Sequence, residues 1–437
     1  MKTFNIILFQ LIFIFSLFAQ EYYFPPLIGN TWTSISPEEL GWCEDKIPAL
    51  YDYLDSEDTK AFIVLKDGKI VLEKYFGQFT MDSVWYWASA GKTLTSFLVG
   101  LAQEEGHMSI HDPTVNYLGK GWTSLPENKE NEITVWHQLT MTSGLDDGGD
   151  PYCTDVPCLT YKADAGTRWA YHNAPYTLLD QVVENATGQT LNIFGYQRLF
   201  SKTGMAGLFI KSGFNNVFWS KPRTMARFGS LILNKGKWNT TQIMTHSDYF
   251  NASVNTTQNL NLSYGYLWWL NGKNSAMLPG SQIVFNRPLF LNAPSDMISA
   301  LGKNGQILNI VPSQNLVMVR MGNFTDNLPV PFLINDEIWA HFNEVQCTSS
   351  SEEVTSSKTK VKFFPNPSTS DITIQADKII QNVHLYDGFG QMVGSWFGID
   401  NQTTFTLTNV SQYSGMYVVE VVLSNGEVIR QKHLFIR

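Results

Sequence analysis

The sequence predicts an α+β domain followed by a small all-β sandwich, and three features of the residue pattern support this. Helical spacing fills the middle of the first segment, while strand signals stand at both of its ends. A polar, repetitive run, TSSSEEVTSSKTK, then breaks the pattern after Cys347. Beyond Val361 only short alternating strands separated by turn residues remain.

Taken in order, the chain opens with Lys2 and the apolar run Ile6 to Ala19, too short to span a bilayer comfortably and ended by a small residue. Residues 1–20 therefore read as a signal peptide, and no later apolar run is long enough to cross a membrane in the mature chain. The main domain is expected over residues 27–346. In it, Ser36 to Asp55 has helical spacing, and AFIVLKDGKIVLEKYFG reads as two strands joined by an Asp-Gly turn. Ser89 to Glu105 follows as a helix with Leu94, Phe97, Leu98 and Leu101 on one face and Gly106 as its stop. Further helices are expected at Val135 to Met141, Tyr176 to Thr187, Leu191 to Phe200 and Arg223 to Asn234. Late strands lie in YGYLWWLN and ILNIVPSQNLVMVRMG, and the closing helix LINDEIWAHFNEV matches IPALYDYL near the start. The sheet is thus expected to be assembled from both ends of the domain. Residues 347–360 read as a flexible linker, and residues 361–437 as the sandwich, with strands in DITIQA, NVHLYD, TTFTLT and YVVEVVLSNGEVIRQKHLFI.

With 43% hydrophobic residues, the 437-residue chain can bury a large core, and its formal charge of −9 with only 16% charged residues excludes the concentrated basic face that nucleic acid needs. In an exported chain four cysteines are expected to pair. Of three pairings, the one expected joins Cys153 to Cys158 across a short loop and leaves Cys43 with Cys347. No metal or cofactor is expected: His107 and His111 are separated from any helix by Gly106 and Pro113, and Asp146 and Asp147 read as solvated turn residues.

The chemistry is sought in WASAGKTL, where Ser89 stands three residues before Lys92 at a helix start. A serine hydroxyl is a weak nucleophile without a base, and positions i and i+3 share a helix face. The positive helix N-terminus and burial both disfavour the ammonium form, which suits Lys92 to activate Ser89. The same spacing recurs at Ser357 to Lys360, inside the linker. In RWAYHNAPY, Tyr171 and Asn173 offer a phenol to relay protons and an amide to bind a substrate carbonyl. A second such pair, Tyr249 and Asn251, lies in a polar stretch. For a cation beside a glycine there are two candidates. Lys202-Thr203-Gly204 looks like a helix stop, whereas Lys303-Asn304-Gly305 is expected to open a strand whose edge pairs with substrate, with the amides of Ser89 and Gln306 forming an oxyanion hole. Lys303, Gly305 and Gln306 are accordingly expected to bind substrate. Trp85 or Trp269 is a candidate lining for an acyl pocket, core filling being the alternative.

WASAGKTL, LTMTSGL, YHNAPY, SKPRTMARFG and ALGKNGQILNIVPSQNLVMVRMG, in that order, resemble the β-lactamase-related serine hydrolases of class C type. The resemblance implies a β-lactamase/penicillin-binding-protein-like fold, an antiparallel sheet flanked by helices with an all-helical region. It also implies an acyl-enzyme mechanism on a small-molecule or peptide-like substrate: Ser89 attacks, Lys92 and Tyr171 move protons, and Asn173 with Lys303 orients substrate. The third motif departs from the family in reading Lys-Asn-Gly instead of Lys-Thr-Gly. A catalytically silent fold that binds cell-wall or surface ligands is the alternative. The tail, with KFFPNPSTSDITI, VHLYDGFGQMV and YSGMYVVEV, resembles the sorting domain of type IX secretion substrates, which implies engagement of the secretion machinery and delivery through the outer membrane to the cell surface or the medium. A carbohydrate-binding or spacer sandwich is the other reading of the tail.

Overall fold

The computed structural model describes residues 22–324, 329–347 and 361–435, apart from 367, 370, 388–391, 398–401, 409 and 414. The expected signal peptide and, past Cys347, the expected linker lie outside the described residues. Helix α1 (Ile47–Ser56) leads into strands β1 (Thr59–Lys66) and β2 (Lys69–Tyr75). Their turn is the expected Asp-Gly pair, with φ of 50° at Asp67 and 82° at Gly68. Two successive left-handed residues make the tight connection whose twist matches antiparallel strands. The helix expected from Ser36 is shorter than its spacing suggested, because Gly41 turns left-handed and Cys43 is extended, so only single 3-10 turns precede Ile47.

Four later strands complete the main sheet: β3 (Trp269–Leu270), β4 (Ile298–Gly302), β5 (Gln306–Val311) and β6 (Leu316–Gly322). The order is β2-β1-β6-β5-β4-β3, antiparallel throughout, so β1 from the start of the domain lies beside β6 from its end. Ala61 to Leu65 and Leu316 to Gly322 are buried on both faces, which is why these segments read as apolar runs, interrupted in the second only by Arg320. The stretch YGYLWWLN contributes only β3; Leu267 is left-handed, with φ 64°, and ends any longer strand.

Helix α2 (Lys92–Glu104) is buried from Lys92 to Ala102 and forms the pillar of the domain. The other helices are α3 (Asn173–Thr177), α4 (Leu179–Thr187), which packs on α2, α5 (Pro222–Leu233), which packs on the sheet, and the closing α6 (Phe332–Val345). The single helix expected over Tyr176 to Thr187 is thus two. α6 returns to α1, as the matching patterns predicted, with Tyr53 stacked on His341 at 4.5 Å. Cys43 bonds to Cys347 and Cys153 to Cys158, both as expected.

In the tail, three strands (Val361–Phe364, Ile372–Ala376, Thr404–Leu407) form one sheet. Four strands (Ile380–Tyr386, Met392–Phe397, Gly415–Leu423, Val428–Phe435) form a second. Ile372, Ile374, Leu407, Val383, Leu385, Val419 and Val421 from the two sheets share one buried cluster, the arrangement of a sandwich.

Candidate active site

Ser89 sits where a short strand, Trp85–Tyr86, turns into α2. Ala88 takes a φ of 45°, a left-handed value uncommon for a residue carrying Cβ, and a 3-10 turn over Ala88–Gly91 then runs into the helix. A 3-10 turn repeats every three residues, so side chains at i and i+3 eclipse one another. Lys92 consequently lies directly over Ser89, with Nζ 2.8 Å from Oγ. Ser89 is half-buried, while Lys92 is only 2% exposed.

Lys92 Nζ also donates to Asn173 Oδ1 at 2.6 Å. It stands 4.1 Å from the centre of the Tyr176 ring and 5.0 Å from that of Tyr171. Burial holds its amine well below the ordinary lysine range, and no carboxylate among the described residues offsets this. A neutral amine that gives one N–H to Asn173 keeps a lone pair for the serine proton. Tyr176 was not nominated from the sequence, though its place one helical turn after Asn173 puts it on the same face.

Tyr171 is buried, and its hydroxyl has no hydrogen-bond partner among the described residues. Burial pushes its phenol up, while the nearby Ser89 side chain draws it down. The ring stacks on Trp269 at 5.5 Å, with Tyr264 edge-on at 6.3 Å. Trp269 is only 2% exposed, so core filling, not pocket lining, describes it: it supports Tyr171 from behind. Trp85 is half-buried and donates from Nε1 to Gly322 O. Asn173 opens α3, and the Ala174 amide donates to Pro151 O at 2.9 Å. The segment just before the loop closed by Cys153 and Cys158 therefore braces the turn that presents Asn173. In the same region Asp147 is no solvated turn residue but pairs with Arg168 at 2.7 Å.

The third segment differs from expectation. Lys303-Asn304-Gly305 does not open a strand; it is the turn between β4 and β5, since Gly302 pairs with Gln306 across it. Asn304 at φ 63° and Gly305 at φ 77° are both left-handed, which a strand does not allow. Lys303 is exposed on this turn, and Gly305 is buried. The Gln306 side chain is fully buried; its Nε2 reaches Gly322 O at 2.7 Å and the carbonyls of Lys303 and Asn304 at 3.3 Å each. Gln306 thus braces the turn, and the residue set against the serine's amide is Gly302. A Cβ built on Gly302 would stand 3.1 Å from Ser89 N and 2.9 Å from Ala90 N, and would strike Trp87 O. A glycine ending a strand was the available sequence signal for this close approach.

The competing motifs lie elsewhere. Lys202-Thr203-Gly204 ends a helix with Gly204 left-handed, as expected. Tyr249 is not in a loose polar setting: it is buried, and its Oη donates to Ser96 O at 2.6 Å, with its ring packed where any side chain on Gly100 would fall. It supports α2 below the serine's turn.

This fold and this cluster define a class, and comparison with known proteins agrees. Residues 58–341 match the family model described as Beta-lactamase, and residues 362–436 match that of the secretion system C-terminal sorting domain. The chain belongs to the Beta-lactamase family, a hydrolase fold, and carries a type IX sorting domain that directs it out of the cell, to the medium or the cell surface. Among curated relatives, a protein of Alkalihalophilus pseudofirmus with no assigned role is 27% identical over 62% of this chain and 85% of its own length. The 6-aminohexanoate-dimer hydrolase of Paenarthrobacter ureafaciens is 21% identical over 64% of this chain and 76% of its own. Among solved structures, an octameric penicillin-binding protein homologue from Pyrococcus abyssi superposes with a TM-score of 0.52 at 14% identity, covering 89% of this chain and 95% of that one. Among the described residues no helix is long and apolar enough to cross a membrane.

Proposed function

We propose that this protein is an exported serine hydrolase that cleaves an ester or amide bond through an acyl-enzyme on Ser89. Residues 27–346 would carry the reaction and residues 361–437 the address. The observation that carries this reading is the buried Lys92 amine, 2.8 Å from Ser89 Oγ and without a carboxylate partner among the described residues. In the first half-reaction Ser89 Oγ bonds to the substrate carbonyl carbon as its proton passes to Lys92 Nζ. The oxyanion is received by the backbone amides of Ser89 and Lys303, the residue that follows the glycine packed against Ser89. Tyr171 Oη gives its own proton to the leaving oxygen or nitrogen as the carbonyl bond to it breaks, the Lys92 ammonium restores the phenol, and water then repeats the sequence on the acyl-serine. Asn173 keeps Lys92 in place and faces the substrate carbonyl side.

A linear amide or an ester suits the site better than a β-lactam, because the third motif lacks Lys-Thr-Gly. The 6-aminohexanoate-dimer hydrolase among the relatives points the same way. The test is a fluorescent phosphonate on the mature chain, followed by a panel of nitrophenyl esters, 6-aminohexanoate dimer, D-alanyl dipeptides and nitrocefin. Labelling and turnover that vanish in Ser89→Ala are expected. A folded wild type that is neither labelled nor active on the panel would favour the silent binding fold instead.

A further inference from the structure

We propose that Arg320 is a positioning residue that fixes the 303–305 turn, which follows the glycine packed against Ser89 and carries the proposed oxyanion-binding amide, an inference that rests on the acyl-enzyme reading above. Arg320 lies in β6, and its side chain is completely buried. Taking a guanidinium out of water costs several kcal/mol unless its donors are satisfied, whereas an aliphatic residue would fill the same space without that cost. What the guanidinium holds therefore explains its presence. Nε donates to Thr59 Oγ1 at 2.9 Å, and Nη2 donates to Glu57 O at 2.5 Å, anchoring the group to the start of β1. On the other side Nη1 donates to Gly305 O at 2.7 Å and approaches Asn304 O at 3.4 Å.

The rigid planar fork thus ties the 303–305 turn to the edge of the sheet. Gly305 is required under it, because a Cβ there would fall on Nη1. The remaining carbonyl of the turn, Lys303 O, is held by Gln306 Nε2, and Asn304 O also accepts from the Phe324 amide at 3.0 Å. The carbonyls of Lys303, Asn304 and Gly305 are therefore all held from the buried side, although Lys303 itself is exposed. Such fixing is what an oxyanion donor needs, since a displacement of about 1 Å costs on the order of 10²-fold in rate. Substrate binding in the ground state makes no such demand on the turn.

The experiment compares Arg320→Met and Arg320→Lys with wild type in the mature full chain. It measures kcat and KM on a nitrophenyl ester, together with inhibition by an alkyl boronic acid, which mimics the tetrahedral intermediate, and by the carboxylate product. For Arg320→Met, kcat is expected to fall about 10²-fold. KM and product inhibition should stay within about twofold, boronate affinity should fall by the same factor as kcat, and Arg320→Lys should be intermediate. Should Arg320→Met fail to fold, Thr59→Val, which removes only the Nε acceptor, is expected to lower kcat and boronate affinity together by a smaller factor. A folded variant with wild-type kcat and boronate affinity, or a loss confined to KM, overturns the role given to Arg320. Absence of Ser89-dependent turnover in wild type would instead overturn the acyl-enzyme reading, and the two failures are read on different proteins.

Discussion

Replacing Lys92 by Met is expected to abolish Ser89-dependent hydrolysis while making the fold more stable. The amine starts from an ordinary pKa of 10.5 and is held neutral by burial, with desolvation as the sole cause. Wherever the amine is neutral in the fold and charged in the unfolded chain, folding bears the cost of releasing the proton, about 1.4 kcal/mol for each pH unit below 10.5. Methionine matches the length of the stem without it. The substitution leaves Asn173 Oδ1, which accepts from Nζ at 2.6 Å, without its donor, a loss of about 1–3 kcal/mol. The variant should therefore be the more stable of the two at pH 7. The pH dependence carries the sign. Because the folded pKa is depressed, the unfolded chain binds one more proton between that value and 10.5, so wild-type stability rises with pH across the window. The gap between variant and wild type should then narrow as pH rises toward 10.5, by about 1.4 kcal/mol for each unit inside that window. Urea unfolding followed by tryptophan fluorescence suits the measurement, since every tryptophan except Trp396 precedes the tail. A gap that does not change with pH, or a variant less stable than wild type at pH 7, would refute the neutral, desolvated lysine.

Other substitutions address the remaining parts of the site and fold. Asn173→Asp sets a carboxylate beside Lys92 Nζ and should raise the amine pKa by about 1–3 units, moving the acid limb of the kcat/KM profile to higher pH; an unmoved limb would remove Lys92 as the base. Gly302→Ala forces a methyl group against Trp87 O and the Ser89 amide, and phosphonate labelling should slow by about 10²-fold with the circular dichroism spectrum retained. Cys43→Ser opens a link between residues 304 positions apart and should cost about 5–6 kcal/mol, whereas Cys153→Ser opens one of 5 and should cost about 2 kcal/mol, as read by thermal unfolding. Deleting residues 361–437 should leave Ser89-dependent turnover in the purified chain and stop its appearance outside the outer membrane, as read by fractionation.

Much of the frame was legible because it is local. The Asp67-Gly68 turn follows from two residues that tolerate left-handed backbone, and the serine and lysine follow from a three-residue spacing. The closing helix announced its partner by a matching apolar pattern. Where the spacing misled, a single residue intervened: Gly41 ended a helical pattern, Leu267 ended a strand pattern, and Asn304 with Gly305 made a turn of what looked like a strand opening. Tyr249 shows the other kind of failure, since its polar sequence neighbours concealed a buried ring whose hydroxyl meets α2.

By itself the sequence pointed to the class of fold, the pairing of its cysteines, the proposed nucleophile with its lysine, and the address carried by the tail. Each of these rests on short spacings or on composition summed over many residues. The tertiary structure alone decided that Lys92 is desolvated and ringed by Tyr171 and Tyr176, that Gly302 lies against the serine's amide, and that Arg320 holds the neighbouring turn. Most of these contacts join residues scores to hundreds of positions apart, and Arg320 reaches its turn from the next strand of the sheet. Whether they form depends on how a whole sheet closes and on which groups lose water when it does, and no local pattern encodes that.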